Sequence, residues 1–268
     1  MKAILLIGIT GLISICSYSQ TDQEILREIT ENMGDHLSLY QHFHQYPELS
    51  FMEFKTSEKL SGELEKLGFE VTRNVGGNGF VGLMKNGPGP VIMIRTDLDA
   101  LPLKEKTGLP FASKVNMPDA DGVEMPVMQA CGHDMHMTVW LGTAKILATL
   151  KRDWQGTLMM IAQQAEEKSG GADAMIADGL FTRFPVPDYA LAYHVSAELP
   201  AGSIGYRAGP FLAGVSSVDV TVHGIGGHGA LPHRAVDPVV LASRMVLAFQ
   251  TIPSREINPL TPSVVTVG

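Results

Sequence analysis

Residues 156–171, GTLMMIAQQAEEKSGG, decide the fold class. Gly156 to Ala165 is an apolar run of strand length, too short for a helix of its own. Glu166 and Glu167 end it, and Lys168-Ser169-Gly170-Gly171 make a loop. Gly171 to Asp178 then returns to helical character. Strand, charged loop and helix in that order form the repeating unit of an α/β sheet.

The same alternation extends in both directions. Upstream, Asp22 to about His44 reads as one helix, stopped by Pro47, and Thr56 to Leu67 as a second, ended by Gly68. Phe69 to Val75 and Phe80 to Met84 read as strands joined by the Gly76-Gly77-Asn78-Gly79 turn. Val91 to Arg95 is a short buried strand, and Asp134 is placed to cap a helix running to about Leu150. Downstream, Tyr189 to Val195 is another strand. The expected architecture is an α/β sandwich with a mainly parallel sheet between helices. After about Gly209 the pattern changes. Val215 to His223 alternates as a half-exposed strand does, Pro238 to Thr251 is helical, and Ser263 to Val267 begins a strand in which the sequence stops. Residues 20–209 are therefore expected to form one α/β domain. Residues 210–268 are expected to begin a smaller α+β unit, so the sequence reads as a fragment.

The chain has 268 residues, a net charge of −8 and 45% hydrophobic residues, an ordinary globular balance. Its acidity argues against nucleic acid or an anionic membrane as the main partner. Residues 1–19 read as a secretory signal peptide. Met1-Lys2 gives the positive start, Ala3 to Ile15 the apolar run, and Ser17 and Ser19 the small residues before a cut. The run is shorter than the roughly 20 residues a spanning helix needs. Ile15 before Cys16 speaks against lipid attachment there. A secreted or periplasmic protein without a stable membrane anchor is expected. Cleavage removes Cys16 and leaves Cys131 as the only thiol of the two in the chain. A lone thiol in an exported protein oxidises unless something holds it, and a metal would do so.

Reactive residues gather where α/β proteins place their sites, at strand ends and on loops. Arg95-Thr96-Asp97-Leu98-Asp99 follows a buried strand. Glu166-Glu167 ends the strand from Gly156, and His194 ends the strand from Tyr189. Neighbouring residues at a strand end point in different directions. One of the two carboxylates can therefore bind a metal while the other faces substrate as a base, the division of labour that a metal-activated water needs. In MQACGHDMH, residues 128–136, Cys131 and His133 flank a glycine and can aim at one ion, with zinc suited to thiolate and imidazole. His136 can share that side if helix has begun. A cysteine nucleophile with His133 or His136 as its base is the alternative. It leaves Glu166, Glu167 and His194 without a task. Gly224 to His233, GIGGHGALPH, presents His228 on a tight glycine loop.

Together these motifs resemble the M20 metallopeptidase and amidohydrolase family, especially its N-acyl-amino-acid amidohydrolases, hippurate hydrolases and auxin-conjugate hydrolases. The landmarks are HQYPELSFMEFKT from His44, IRTDLDALPLKE from Ile94, ACGHDMH from Ala130, QQAEEKSGGADAMIADGL from Gln163, YHV from Tyr193, and GIGGHGALPH followed by VDP. Six in order along most of the chain make a specific signal. The resemblance implies a hydrolase of N-acyl amino acids or small peptides with two divalent ions, zinc or manganese, on a zinc-exopeptidase-like domain. It also implies an inserted lid through which the protein forms a homodimer. By the resemblance, Cys131, His133, Glu167 and His194 are metal ligands, with Cys131 the bridge, and Glu166 is the general base. His228 steadies the oxyanion across the dimer, Asp97 orients a ligand, and His136 lies beside the site without binding metal. Gln129 departs from the pattern, since this branch often has histidine there. The family also implies a stretch beyond Gly268 that completes the lid and adds one more histidine ligand.

Overall fold

The computed structural model describes residues 20–212 and 214–268; the proposed signal peptide lies outside the described residues. The chain divides into two compact units, Met1–Ala197 and Glu198–Gly268.

The first unit is built on a five-stranded sheet. Its helices are α1 (Gln20–Glu31), α2 (Met33–Gln45), α3 (Phe54–Lys66), α4 (His133–Thr149), α5 (Gly171–Ala177) and α6 (Leu180–Arg183). Its strands are β1 (Glu70–Arg73), β2 (Phe80–Asn86), β3 (Val91–Asp97), β6 (Gly156–Gln163) and β7 (Tyr189–Leu191), and β4 (Asn116–Pro118) with β5 (Glu124–Pro126) forms a separate hairpin. The order across the sheet is β1-β2-β6-β3-β7. β3 runs parallel to both of its neighbours, β6 and β7, whereas β2 is antiparallel to both β1 and β6. The sheet is thus mixed, parallel in the half that carries the reactive strand ends.

Side chains of successive strand residues point to opposite faces, and the two cores follow that period. On one face Phe80, Met84, Leu158, Met160 and Ala162 pack with Phe43 of α2, Leu60 and Leu64 of α3, and Met137, Trp140 and Ala144 of α4. On the other face Val81, Met159 and Ile161 pack with Met175 of α5 and Leu180 of α6. Helices on both faces of the sheet make a three-layer α/β sandwich. Gly82 has no side chain because Leu64 of α3 fills the space one would need.

Several local expectations are corrected. The helix read from Asp22 to His44 is two helices, α1 and α2, broken at Asn32. There the side-chain amide donates to the Glu28 carbonyl at 2.7 Å and competes with the backbone ladder. Asp134 does not cap α4. Gly132 holds that position with φ +89°, and Asp134 instead accepts from the Met135 amide and from His44. The start of α3 is capped from upstream, where the buried Glu48 carboxylate accepts the Lys55 and Thr56 amides at 3.2 and 2.7 Å.

In the second unit α7 (Pro238–Phe249) is capped by Asp237, which accepts the Val239 and Val240 amides at 2.9 and 3.2 Å. Short helical turns cover Pro232–Arg234 and Ile252–Glu256, and Ile225 bridges Val236. Val215 to His223 and Ser263 to Val267, read as strands, form no ladder among the described residues. Alternation marks a segment fit to be a strand, but a strand exists only with a hydrogen-bonded neighbour. Among the described residues no helix is long and apolar enough to cross a membrane.

Candidate metal centre

Two elements bring the first residues of the site together. β3 ends on Asp97, with Asp99 just beyond, and α4 begins on His133. His133 is fully buried, and its Nδ1 lies 2.7 Å from the Asp99 backbone oxygen. A carbonyl oxygen only accepts, so Nδ1 carries a proton there. Nε2 is buried and has no hydrogen-bond partner among the described residues. It faces carboxylates on three sides, at 3.6 Å from Asp97 Oδ2 and 3.8 Å from both Glu166 Oε2 and Glu167 Oε1. Glu167 Oε1 is likewise buried without a donor. Burial alone would lower the His133 pKa. The Asp99 hydrogen bond and the charges of Asp97 and Asp99 overcome that and push it up to about 9. This pocket demands positive charge, either a proton on His133 or a cation among these groups. The donor set therefore fits a metal ion.

Glu166 and Glu167 are held by their backbone. The buried Asp99 carboxylate accepts the Glu166 amide on Oδ1 and the Glu167 amide on Oδ2, each at 3.0 Å, and also the Ser50 hydroxyl at 2.6 Å. Ala165, just before them, takes a left-handed φ of +47° and donates its amide to buried Glu53 at 2.8 Å. Glu53 also accepts from the Phe51 amide and from Asn78 of the β1–β2 turn. Burial pushes the Glu53 carboxyl up, against those hydrogen bonds. The turn closes as the Gly170 and Gly171 amides return to the Ala165 oxygen. Asp99→Ala leaves two half-buried amides and a hydroxyl without an acceptor. It is expected to cost on the order of 3 kcal/mol, read as a lower denaturant midpoint at unchanged m-value.

On the other side of His133, Cys131 Sγ lies 3.2 Å from His194 Nε2. His194 Nδ1 is 2.7 Å from the Val195 oxygen, so Nδ1 carries the proton and the Nε2 lone pair faces the sulfur. Burial, then the charge and hydrogen bond of Glu167, push the Cys131 thiol up to about 12. Among these groups alone the sulfur stays protonated. Asp97 is the opposite case: burial would raise its pKa, but the His136 hydrogen bond and the charges of His133 and Arg95 hold it at about 2. Its Oδ1 is 2.7 Å from His136 Nδ1, and its Oδ2 accepts from Arg95 at 2.8 Å. Asp97 thus meets His136 directly and His133 only at a longer distance.

Among the described residues three overlapping groups could hold a cation: Cys131, His133 and His194; His133, Glu166 and Glu167; and Asp97, His133 and His136. Within each, the ligand atoms lie within 4.8 Å of one another, and His133 belongs to all three. Cys131, His133, Glu166, Glu167, His194 and Asp97 therefore converge in the first unit. His228 lies in the second unit, where its Nδ1 accepts the Ala230 amide at 3.1 Å.

Asp99 is the residue that sequence reasoning passed over for a role, although its two-residue spacing from Asp97 was the available signal. His44 was also left without one. Buried on α2, it has Nδ1 2.7 Å from Asp134 Oδ2 and Nε2 3.0 Å from Glu105 Oε1. Burial would lower its pKa, but the two carboxylates raise it. It ties the first turn of α4 to the loop that follows β3.

A model of peptidase family M20/M25/M40 matches residues 93–264. The chain is 37% identical over 233 residues to N-acetyl-L-cysteine deacetylase of Bacillus subtilis, covering 87% of this chain and 53% of that one. It is 38% identical over 248 residues to hippurate hydrolase of Campylobacter jejuni, covering 91% of this chain and 61% of that one. The Bacillus subtilis YXEP protein, a dinuclear metal binding peptidase from the M20 family, superposes with a TM-score of 0.59 at 29% identity. That match covers 86% of this chain and 57% of the other. This chain therefore spans between about half and three-fifths of the length of the curated relatives it matches.

Proposed function

The chain belongs to peptidase family M20/M25/M40, and on that footing we propose that it serves a metal-dependent hydrolase cleaving the amide bond of N-acyl amino acids or small peptides. The observation that carries the reading is the buried, unpartnered Nε2 of His133 facing the carboxylates of Asp97, Glu166 and Glu167. Two divalent ions, zinc or manganese, would be held by Cys131, His133, Glu167 and His194. The thiolate and imidazoles suit zinc, and the carboxylate suits either metal. Bound there, they would supply Lewis-acid polarisation of the amide carbonyl and a lowered pKa for the attacking water.

The remaining roles fall to the chain's own side chains. Glu166 Oε2 takes the proton of the attacking water and passes it to the leaving nitrogen. Glu167, the less exposed of the pair, stays turned toward His133. His133 and His194 each donate from Nδ1 to a backbone oxygen, which reserves Nε2 for the ion. His228 is assigned the developing oxyanion on its glycine-loop motif. The names of the relatives favour N-acyl amino acids over longer peptides.

Metal analysis of the complete protein is expected to find about two ions per chain. Cys131 is expected to react with an alkylating reagent only after chelation. Equal alkylation with and without chelator would sink the reading. The proposal includes export with cleavage after Ser19, checked by the N-terminal mass of the mature protein. It also includes a homodimer through the segment from residue 210, checked by sedimentation.

A further inference from the structure

His194 stands on a segment that regular structure does not hold. β7 ends at Leu191, and residues 192–196 belong to no helix or strand. Its ring nevertheless meets Cys131, which belongs to a distant stretch of the chain. Something must fix it, and the contacts on either side of it converge on one residue.

Before His194, the Tyr193 hydroxyl donates to the His136 backbone oxygen at 2.5 Å, with the Met135 oxygen at 3.2 Å. After it, the Val195 amide donates to His136 Nε2 at 3.0 Å. The His194 and Tyr193 rings both meet the His136 ring edge-on, with centroids 4.6 and 5.3 Å away. The Val195 side chain packs where a side chain on Gly132 would stand, directly between Cys131 and His133. Because Nε2 accepts from an amide, the His136 proton is on Nδ1, aimed at Asp97. Both ring nitrogens and the backbone oxygen of His136 are committed. A cation could take Nε2 only by breaking the Val195 bond.

We infer that His136 and Tyr193 are positioning residues that bracket His194 and hold it within reach of Cys131, without binding metal themselves. The inference rests on the metal reading of Cys131 and His194 proposed above. Backbone groups leave a histidine on an irregular segment many orientations, and a ligand held in one of them does not pay for ordering when it binds. Outer-shell partners of this kind change metal affinity by roughly 10- to 100-fold.

The test uses the full chain loaded with cobalt(II), whose thiolate charge-transfer absorption reports Cys131 and whose visible bands report the other ligands. Zinc affinity is measured beside it by competition with a chelating dye. The variants are Tyr193→Phe and His136→Phe, with His194→Ala as the reference for a lost ligand. Tyr193→Phe is expected to weaken zinc binding about 10-fold or more and to shift the visible bands toward the His194→Ala spectrum, with the thiolate band retained. His136→Phe should do the same more strongly. If burial makes it unfold, Tyr193→Phe carries the test alone, since its hydroxyl bonds to the backbone of α4 rather than to a candidate ligand. A lower melting temperature with affinity and spectrum unchanged would make the clamp merely structural and overturn the inference. A parent chain with no thiolate band would overturn the metal reading, and this inference with it.

Discussion

Glu166→Gln in the complete protein is expected to lower amide hydrolysis by about 10²- to 10⁴-fold, the usual share of a general base, while metal content stays at the parent value. The amide side chain keeps the shape and hydrogen-bonding reach of the carboxylate but cannot accept and hold the proton of water. The geometry separates the two neighbouring carboxylates. The Glu166 side chain is 40% exposed and that of Glu167 is 19% exposed, though both lie 3.8 Å from His133 Nε2. The more open one is the one that water and substrate can reach. The Glu166 backbone is fixed by Asp99 whatever the side chain, so the turn itself should survive. Glu167→Gln should show the reverse balance, losing metal as well as turnover. Turnover of Glu166→Gln within a factor of a few of the parent would remove Glu166 from the mechanism.

Gly171→Ala is expected to be the most damaging single methyl in the first unit. A Cβ on Gly171 would overlap the Gln164 carbonyl, both its oxygen and its carbon. Backbone atoms cannot rotate aside as the end of a side chain can, and the turn is already tight. Ala165 and Ser169 both take left-handed φ, and the Gly170 and Gly171 amides are pinned to the Ala165 oxygen. The expected loss is about 4 kcal/mol or more, in the range reserved for severe packing damage, with a sharp fall in soluble yield and melting temperature. Gly62→Ala on α3 is the control. Nothing lies near its added methyl, so helix propensity should make it neutral or stabilising by up to about 1 kcal/mol. Equal melting temperatures for Gly171→Ala and the parent would refute this account of the turn.

Much of the first unit was legible because its signals are local. The apolar run of β6, the spacing of α3 and the glycines closing the β1–β2 turn all act over a few residues. That Cys131, His133, Glu166, Glu167 and His194 would gather was legible as well, since thiol, imidazole and carboxylate at strand ends are rare combinations. What escaped depends on partners far away in sequence. The break at Asn32 is the exception, a local competition in which one side-chain amide reaches Glu28 within the same helical turn. The role of Asp99 exists only because β3 and β6 lie side by side, which brings its carboxylate under the Glu166 and Glu167 amides. His44 gains its meaning from Asp134 and Glu105. In the second unit the alternation of Val215 to His223 points to a strand, but no neighbouring strand among the described residues turns it into a ladder.

The strand order also bears on how the molecule comes to fold. β2 and β3 are consecutive in sequence, yet β6 lies between them and pairs with both. A nascent chain that has emerged only as far as β3 has no partner for the facing edges of either strand. Closing the sheet must wait for the long connection through α4, a non-local step of the slow kind. The candidate ligands therefore cannot be assembled early and then covered. Asp97 and Asp99 come from one side of the late-arriving strand and Glu166 and Glu167 from its own end, so completion of the sheet and completion of the site are one folding event.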